Sequence, residues 1–65
     1  MKVRDVIARL AADGWYLVRT RGDHRQYKHP TKPGRVTVAG HPSVDLHPKT
    51  LASIWQQAQM PRGER

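Results

Sequence analysis

The apolar residues of this chain change their period twice, and that pattern restricts the fold more than any single motif. Val3, Val6, Ile7, Leu10 and Ala11 recur at helical spacing, so one stripe of a first helix should face a core while Lys2, Arg4, Asp5 and Arg9 face water. Asp13-Gly14 ends that helix, glycine being suited to the left-handed position that closes many helices. Trp15 to Thr20 then has the aromatic and β-branched composition of a strand, although its apolar start leaves the inward face open. Arg21-Gly22-Asp23 supplies a turn, His24 to His29 a second strand, and Pro30-Thr31-Lys32-Pro33-Gly34 a second turn. Arg35 to Ala39 is a third strand with Val36 and Val38 on one face. Gly40 to Leu46 reads as loop, and Pro48 suits the first position of a closing helix, where its missing N–H costs nothing. Leu51, Ile54, Trp55 and Ala58 restore the helical period.

The predicted fold is therefore α+β: helix, three-stranded antiparallel sheet, helix, with both helices on one face of the sheet and the other face open. A single domain is expected over 1–60, with 61–65 as a flexible C-terminal tail. The 65 residues contain no cysteine, so disulfides and thiolate metal sites are excluded and packing alone must hold the core. A chain of this length buries only ~60% of the surface it exposes when unfolded. An open face that binds a long polymer suits it better than a deep, water-excluding cavity.

Charge points to what that polymer is. Twelve Lys and Arg against five Asp and Glu give a net charge of +7, which attracts polyanions. No apolar run reaches the ~20 residues of a membrane span, and the charged start lacks the apolar core of a signal peptide, so a cytoplasmic location is expected. Within the second strand the side-chain period of two places Tyr27 with Arg25 and His29, opposite His24, Gln26 and Lys28. If Tyr27 enters the core, His24 faces away from it.

His24 follows Gly22 and Asp23 directly and lies among cations, an arrangement suited to RNA cleavage. RNA breaks when its 2′-oxygen attacks the adjacent phosphate, so a catalyst removes that proton, protonates the departing 5′-oxygen and neutralises charge on the phosphorane. Imidazole is the side chain ordinarily able to give or take a proton near neutral pH. Lys28, on the same strand face, and Arg19, Arg21, Arg25 and Arg35 are the candidate phosphate ligands. Gly22 forms the turn, Asp23 is placed to orient the ring, and Tyr27 anchors the strand.

The other histidines read differently. His29 and His41 each precede a proline, at a strand end and in a loop, and His47 sits at a helix start. The four histidines have neither close ligand spacing nor cysteine company, so no metal is expected. Trp55, on the Leu51-Ile54-Ala58 stripe, and Trp15 are expected in the core, with base stacking the competing use of an exposed aromatic.

Several segments together resemble the HicA toxin family: the first helix, the Asp13-Gly14-Trp15 strand entry, Gly22-Asp23-His24, Tyr27-Lys28-His29-Pro30, Val36-Thr37-Val38 and Thr50-Leu51-Ala52-Ser53-Ile54. The family motif usually reads Gly-Ser-His; Asp23 stands at the serine position here. The resemblance covers roughly Val3 to Ala58. It implies a fold similar to double-stranded-RNA-binding domains and metal-independent mRNA cleavage by one histidine, with no cofactor. It also implies a protein that is monomeric when free and is neutralised in a hetero-oligomer by a HicB-like antitoxin covering the His24 face. Two other classes fit the composition: a non-catalytic RNA-binding module, and an interaction domain for an acidic protein partner.

Overall fold

The computed structural model describes residues 1–60; the expected tail, 61–65, lies outside them. Helix α1 spans Val3–Asp13 and helix α2 spans Pro48–Gln57, with strands β1 Tyr16–Arg21, β2 His24–Lys28 and β3 Val36–Ala39 between them. The strands form one antiparallel sheet in the order β1-β2-β3. The predicted order and type of every element are observed, each strand one residue shorter at an end or shifted by one.

One cluster forms the core. Val3, Val6 and Leu10 of α1 meet Trp15, Tyr27, Val36, Val38, Ile54 and Ala58, all buried. Tyr27, Val36 and Val38 are in register on one face of the sheet, so both helices pack on that face, over β2 and β3, and leave the other open, as the sequence predicts. Fully burying a valine or leucine side chain contributes about 1.5–3 kcal/mol, so these few residues carry much of the stability of so small a core.

Four residues depart from the predicted pattern, three in burial and one in its element. Ala11 is exposed because α1 turns only the Val3-Val6-Leu10 stripe inward, with Ile7 half-buried at its margin. The helices pack over β2 and β3, and Ala11 lies outside that contact. Trp55 is half-buried at the edge of the core, and the Arg9 guanidinium, expected in water, lies 5.6 Å from its ring centroid in a cation–π contact. Trp15 is buried in the core as expected but precedes β1 instead of opening it, its backbone N–H donating to Leu10 O at the end of α1.

The helix ends are held by the loops. The 40–46 segment lies against the start of α1, where Val44 O and Pro42 O accept from Val3 N and Arg4 N, two donors the helix cannot satisfy itself. His47 caps α2, its Nδ1 accepting from Lys49 N at 3.1 Å, and Pro48 occupies the first helical position. At the other end of α2, Gln59 takes the left-handed position (φ 54°) and Met60 N donates back to Trp55 O, a Schellman closure made without glycine.

Asp13 is the junction of the fold. Its carboxylate accepts from Lys32 Nζ at 2.6 Å and Trp15 Nε1 at 3.2 Å, while its backbone oxygen lies 2.7 Å from His29 Nε2. Lys32 Nζ also donates to Ala58 O and Gln59 O, so the end of α1, the β2–β3 loop and the end of α2 are tied together. The Lys32 hydrogen bond holds the Asp13 carboxyl below the ordinary carboxylate range, against the opposing effect of desolvation. A carboxylate that keeps its charge better when folded stabilises fully above its unfolded value and loses that contribution as pH falls through the lower folded one. Asp13→Asn should therefore melt below wild type at neutral pH, and the gap should close below about pH 4. A constant gap in thermal melts across that range would refute the linkage.

Gly14 closes α1 with φ 109°, and a Cβ there would stand 2.8 Å from His29 Nε2. The ring cannot yield without losing its bond to Asp13 O. Gly14→Ala should cost about 1–3 kcal/mol from backbone strain alone, read as a lower melting temperature.

Candidate functional site

The β1–β2 hairpin builds the site. Arg21 pairs with His24 across a two-residue loop in which Gly22 takes φ 62°, a conformation glycine adopts without penalty. His24 thus opens β2 at the tip of the sheet, with its side chain 63% exposed. In β2, Tyr27 is buried and His24, Gln26 and Lys28 stand on the open face, the parity expected from a period of two.

β1 breaks that parity. Its register with β2 shifts between Leu17 and Arg19, so Val18 is the extra residue of a β-bulge. Leu17 lies opposite Tyr27 on the helix side, and unbroken alternation would send Arg19 and Arg21 to that side too. The bulge reverses this: Arg19 lies opposite Gln26 and Arg21 opposite His24, and cross-strand partners share a face. Tyr16, opposite Lys28, joins them. Arg35 completes the group, its Nη1 donating to Gln26 Oε1 at 2.9 Å.

Of the residues the sequence nominates, the structure therefore assembles His24, Arg19, Arg21, Lys28 and Arg35 on one exposed face, with Gly22 and Asp23 at its tip. Arg25 is not among them. It lies on the opposite face, where its Nη1 donates to Gly40 O at 2.9 Å and Asp23 O at 3.4 Å, clamping the hairpin turn to the end of β3. Tyr27 anchors β2 from the core; burial pushes its phenol above the ordinary range. Asp23 Oδ1 is 3.8 Å from His24 Nε2, an exposed pair beyond hydrogen-bond distance that exerts little hold on the ring.

Two members of this face are not nominated by the sequence. Gln26 orients Arg35, and the strand period already sets it beside His24. Tyr16, half exposed, is the aromatic ring on the open face, whereas Trp15 is buried and Trp55 sits among the helices. Its nomination required the β1 register.

The remaining histidines have structural partners. His29 Nδ1 accepts from Thr31 N and Lys32 N, both at 3.1 Å, and its ring packs edge-on against Trp15 at 5.1 Å. His41 Nδ1 accepts from Ser43 N at 3.3 Å and lies 2.9 Å from Ser43 Oγ. Among the described residues, no three His, Asp or Glu side chains gather where they could hold a metal ion. No described helix is long and apolar enough to cross a membrane.

The face thus offers a solvent-accessible imidazole, several cations that can neutralise phosphates, and a ring on which a base can stack. No curated protein matches the chain. The family model for the HicA toxin of bacterial toxin–antitoxin systems matches residues 3–60, nearly its whole length and every element of the site. The chain belongs to the HicA toxin family.

Proposed function

We propose that this protein is the toxin of a bacterial toxin–antitoxin pair and acts as a metal-independent mRNA endoribonuclease. The observation that carries the proposal is the β1 bulge, which turns Arg19 and Arg21 onto the face of His24, Lys28 and Arg35. His24 exchanges protons with the reacting oxygens. The 2′-oxygen bonds to phosphorus as the P–O5′ bond breaks, one proton leaving O2′ and one arriving at O5′. The products carry a 2′,3′-cyclic phosphate and a 5′-hydroxyl, and no metal or cofactor is consumed. Arg21 and Lys28 neutralise phosphates on either side of His24, and Tyr16 stacks on a base. The protein works in the cytoplasm, as a monomer until a HicB-like antitoxin covers the His24 face.

The first test is incubation of end-labelled mRNA with the purified protein in EDTA. Fragments ending in 2′,3′-cyclic phosphate support the mechanism; intact RNA, or cutting only after a divalent metal is added, rejects it. A second reading, a non-catalytic RNA-binding module, is favoured by one observation: no described side chain lies within hydrogen-bond distance of the His24 ring to orient it. That reading predicts binding without fragments.

Salt dependence locates the cations that hold phosphate. Each phosphate neutralised on a single strand steepens the fall of log affinity with log salt by about 0.7. Replacing Arg19 and Arg21 together by glutamine should therefore flatten the slope by about 1.4, whereas Arg25→Gln should leave it unchanged. Equal slopes for wild type and the double variant would remove β1 from the interface.

A further inference from the structure

β1 is the strand that this fold leaves uncovered. All its residues from Tyr16 to Arg21 are exposed, Leu17 at 51% and Val18 at 43%. Neither residue belongs to the core or to the packed layer around it. Among the described residues, none hydrogen-bonds to the backbone along the outer side of β1. The opposite edge of the sheet is treated differently: Gln57 of α2 reaches over β3, its Oε1 accepting from Thr37 N at 3.2 Å. An open edge with exposed aliphatic residues is a template for strand pairing.

We propose that the outer edge of β1 is a docking site for an extended segment of a protein partner, which joins the sheet as an added strand and alternates acidic with apolar side chains. The alternation follows from the two sides of β1. On the open face the added strand meets Arg19 and Arg21, which call for carboxylates; on the helix side it meets Leu17, which calls for an apolar residue. A second copy of the chain is a poor occupant, because it would bring the arginines of two molecules, each of net charge +7, to one seam. RNA offers neither a ladder of peptide groups nor apolar side chains for Leu17 and Val18. Carboxylates drawn to Arg19 and Arg21 also occupy the cations nearest His24. An added strand therefore competes with phosphate at the site without entering it. Identifying this partner with the antitoxin rests on the function proposed above; the docking chemistry does not.

The test is residue-resolved amide exchange with three probes: a capped peptide alternating glutamate with valine, the same peptide with lysine for glutamate, and a single-stranded RNA. The glutamate peptide should slow the outward-pointing amides between Tyr16 and Arg21 by about 10-fold or more, and the lysine peptide should not. Leu17→Glu, altering a half-exposed side chain outside the RNA face, should abolish that protection and leave RNA cleavage as in wild type. No protection of β1 at millimolar peptide, or equal protection by both peptides, overturns the proposal. So does protection by RNA, or protection that appears without peptide as protein concentration rises, which would make the occupant a second copy. Because the readout involves no cleavage, the two proposals fail separately. Protection without RNA cutting rejects the nuclease and keeps the docking edge, and cutting without protection does the reverse.

Discussion

His24→Ala is expected to abolish RNA cleavage while leaving the fold and most of the RNA affinity in place. The side chain is 63% exposed and contributes nothing to the core, so its loss should change stability by no more than about 0.5 kcal/mol. Proton transfer by a positioned imidazole is worth about 100 to 10,000-fold in rate, and that factor should disappear. The cations on the same face remain, so binding, dominated by phosphate neutralisation, should weaken little. Rates on end-labelled mRNA, melting curves and binding isotherms for the two proteins check all three expectations. A variant that cuts at the wild-type rate would exclude His24 as the catalytic group.

His29→Ala is expected to do the opposite, destabilising the fold and lowering every activity with it. Its Nδ1 faces two backbone N–H donors, so it must be the acceptor, and Nε2 carries the proton that it donates to Asp13 O. One ring therefore joins the end of α1 to the turn after β2, and its edge packs on the buried Trp15. Removing these bonds and the packing of the ring should cost about 2–4 kcal/mol. A domain of this size holds only about 3–10 kcal/mol in total. The melting temperature should fall by at least about 8 °C, with RNA binding and cleavage falling in step with the folded fraction. A melting point within a few degrees of wild type would mean that water replaces the ring.

These two histidines show how unevenly the molecule can be read from its residues. Each lies in β2 or directly after it, each is surrounded by cations in the sequence, and composition does not separate them. The parity of the strand does. Tyr27 is the large apolar residue of that segment, so it enters the core, and His24 at an odd separation must face outward while His29 at an even one faces inward. The same reasoning places Lys28 with His24 and takes Arg25 away from it, although a count of positive charges ranks them equally.

The helices were legible for a comparable reason. A period of 3.6 residues is a local property, and Val3-Val6-Leu10 and Leu51-Ile54-Ala58 display it without reference to anything distant. What local period cannot show is how much of a stripe the sheet covers. Ala11 lies outside and Trp55 only half inside because the helices pack over β2 and β3 alone and leave β1 bare. The role of Asp13 was equally out of reach, since Lys32, His29 and Trp15 converge on it from separate elements.

The sequence by itself determined the order of elements, the class of fold, the direction of His24 and the excess of positive charge, because each depends on spacing within one segment or on summed charge. Only the tertiary structure decided that Arg19 and Arg21 stand beside His24. A bulge is a difference in residue count between two paired strands, so it exists only in the pairing. Val18 is left over where Tyr16–Arg21 meets His24–Lys28, and that one residue reverses the face of the rest of β1.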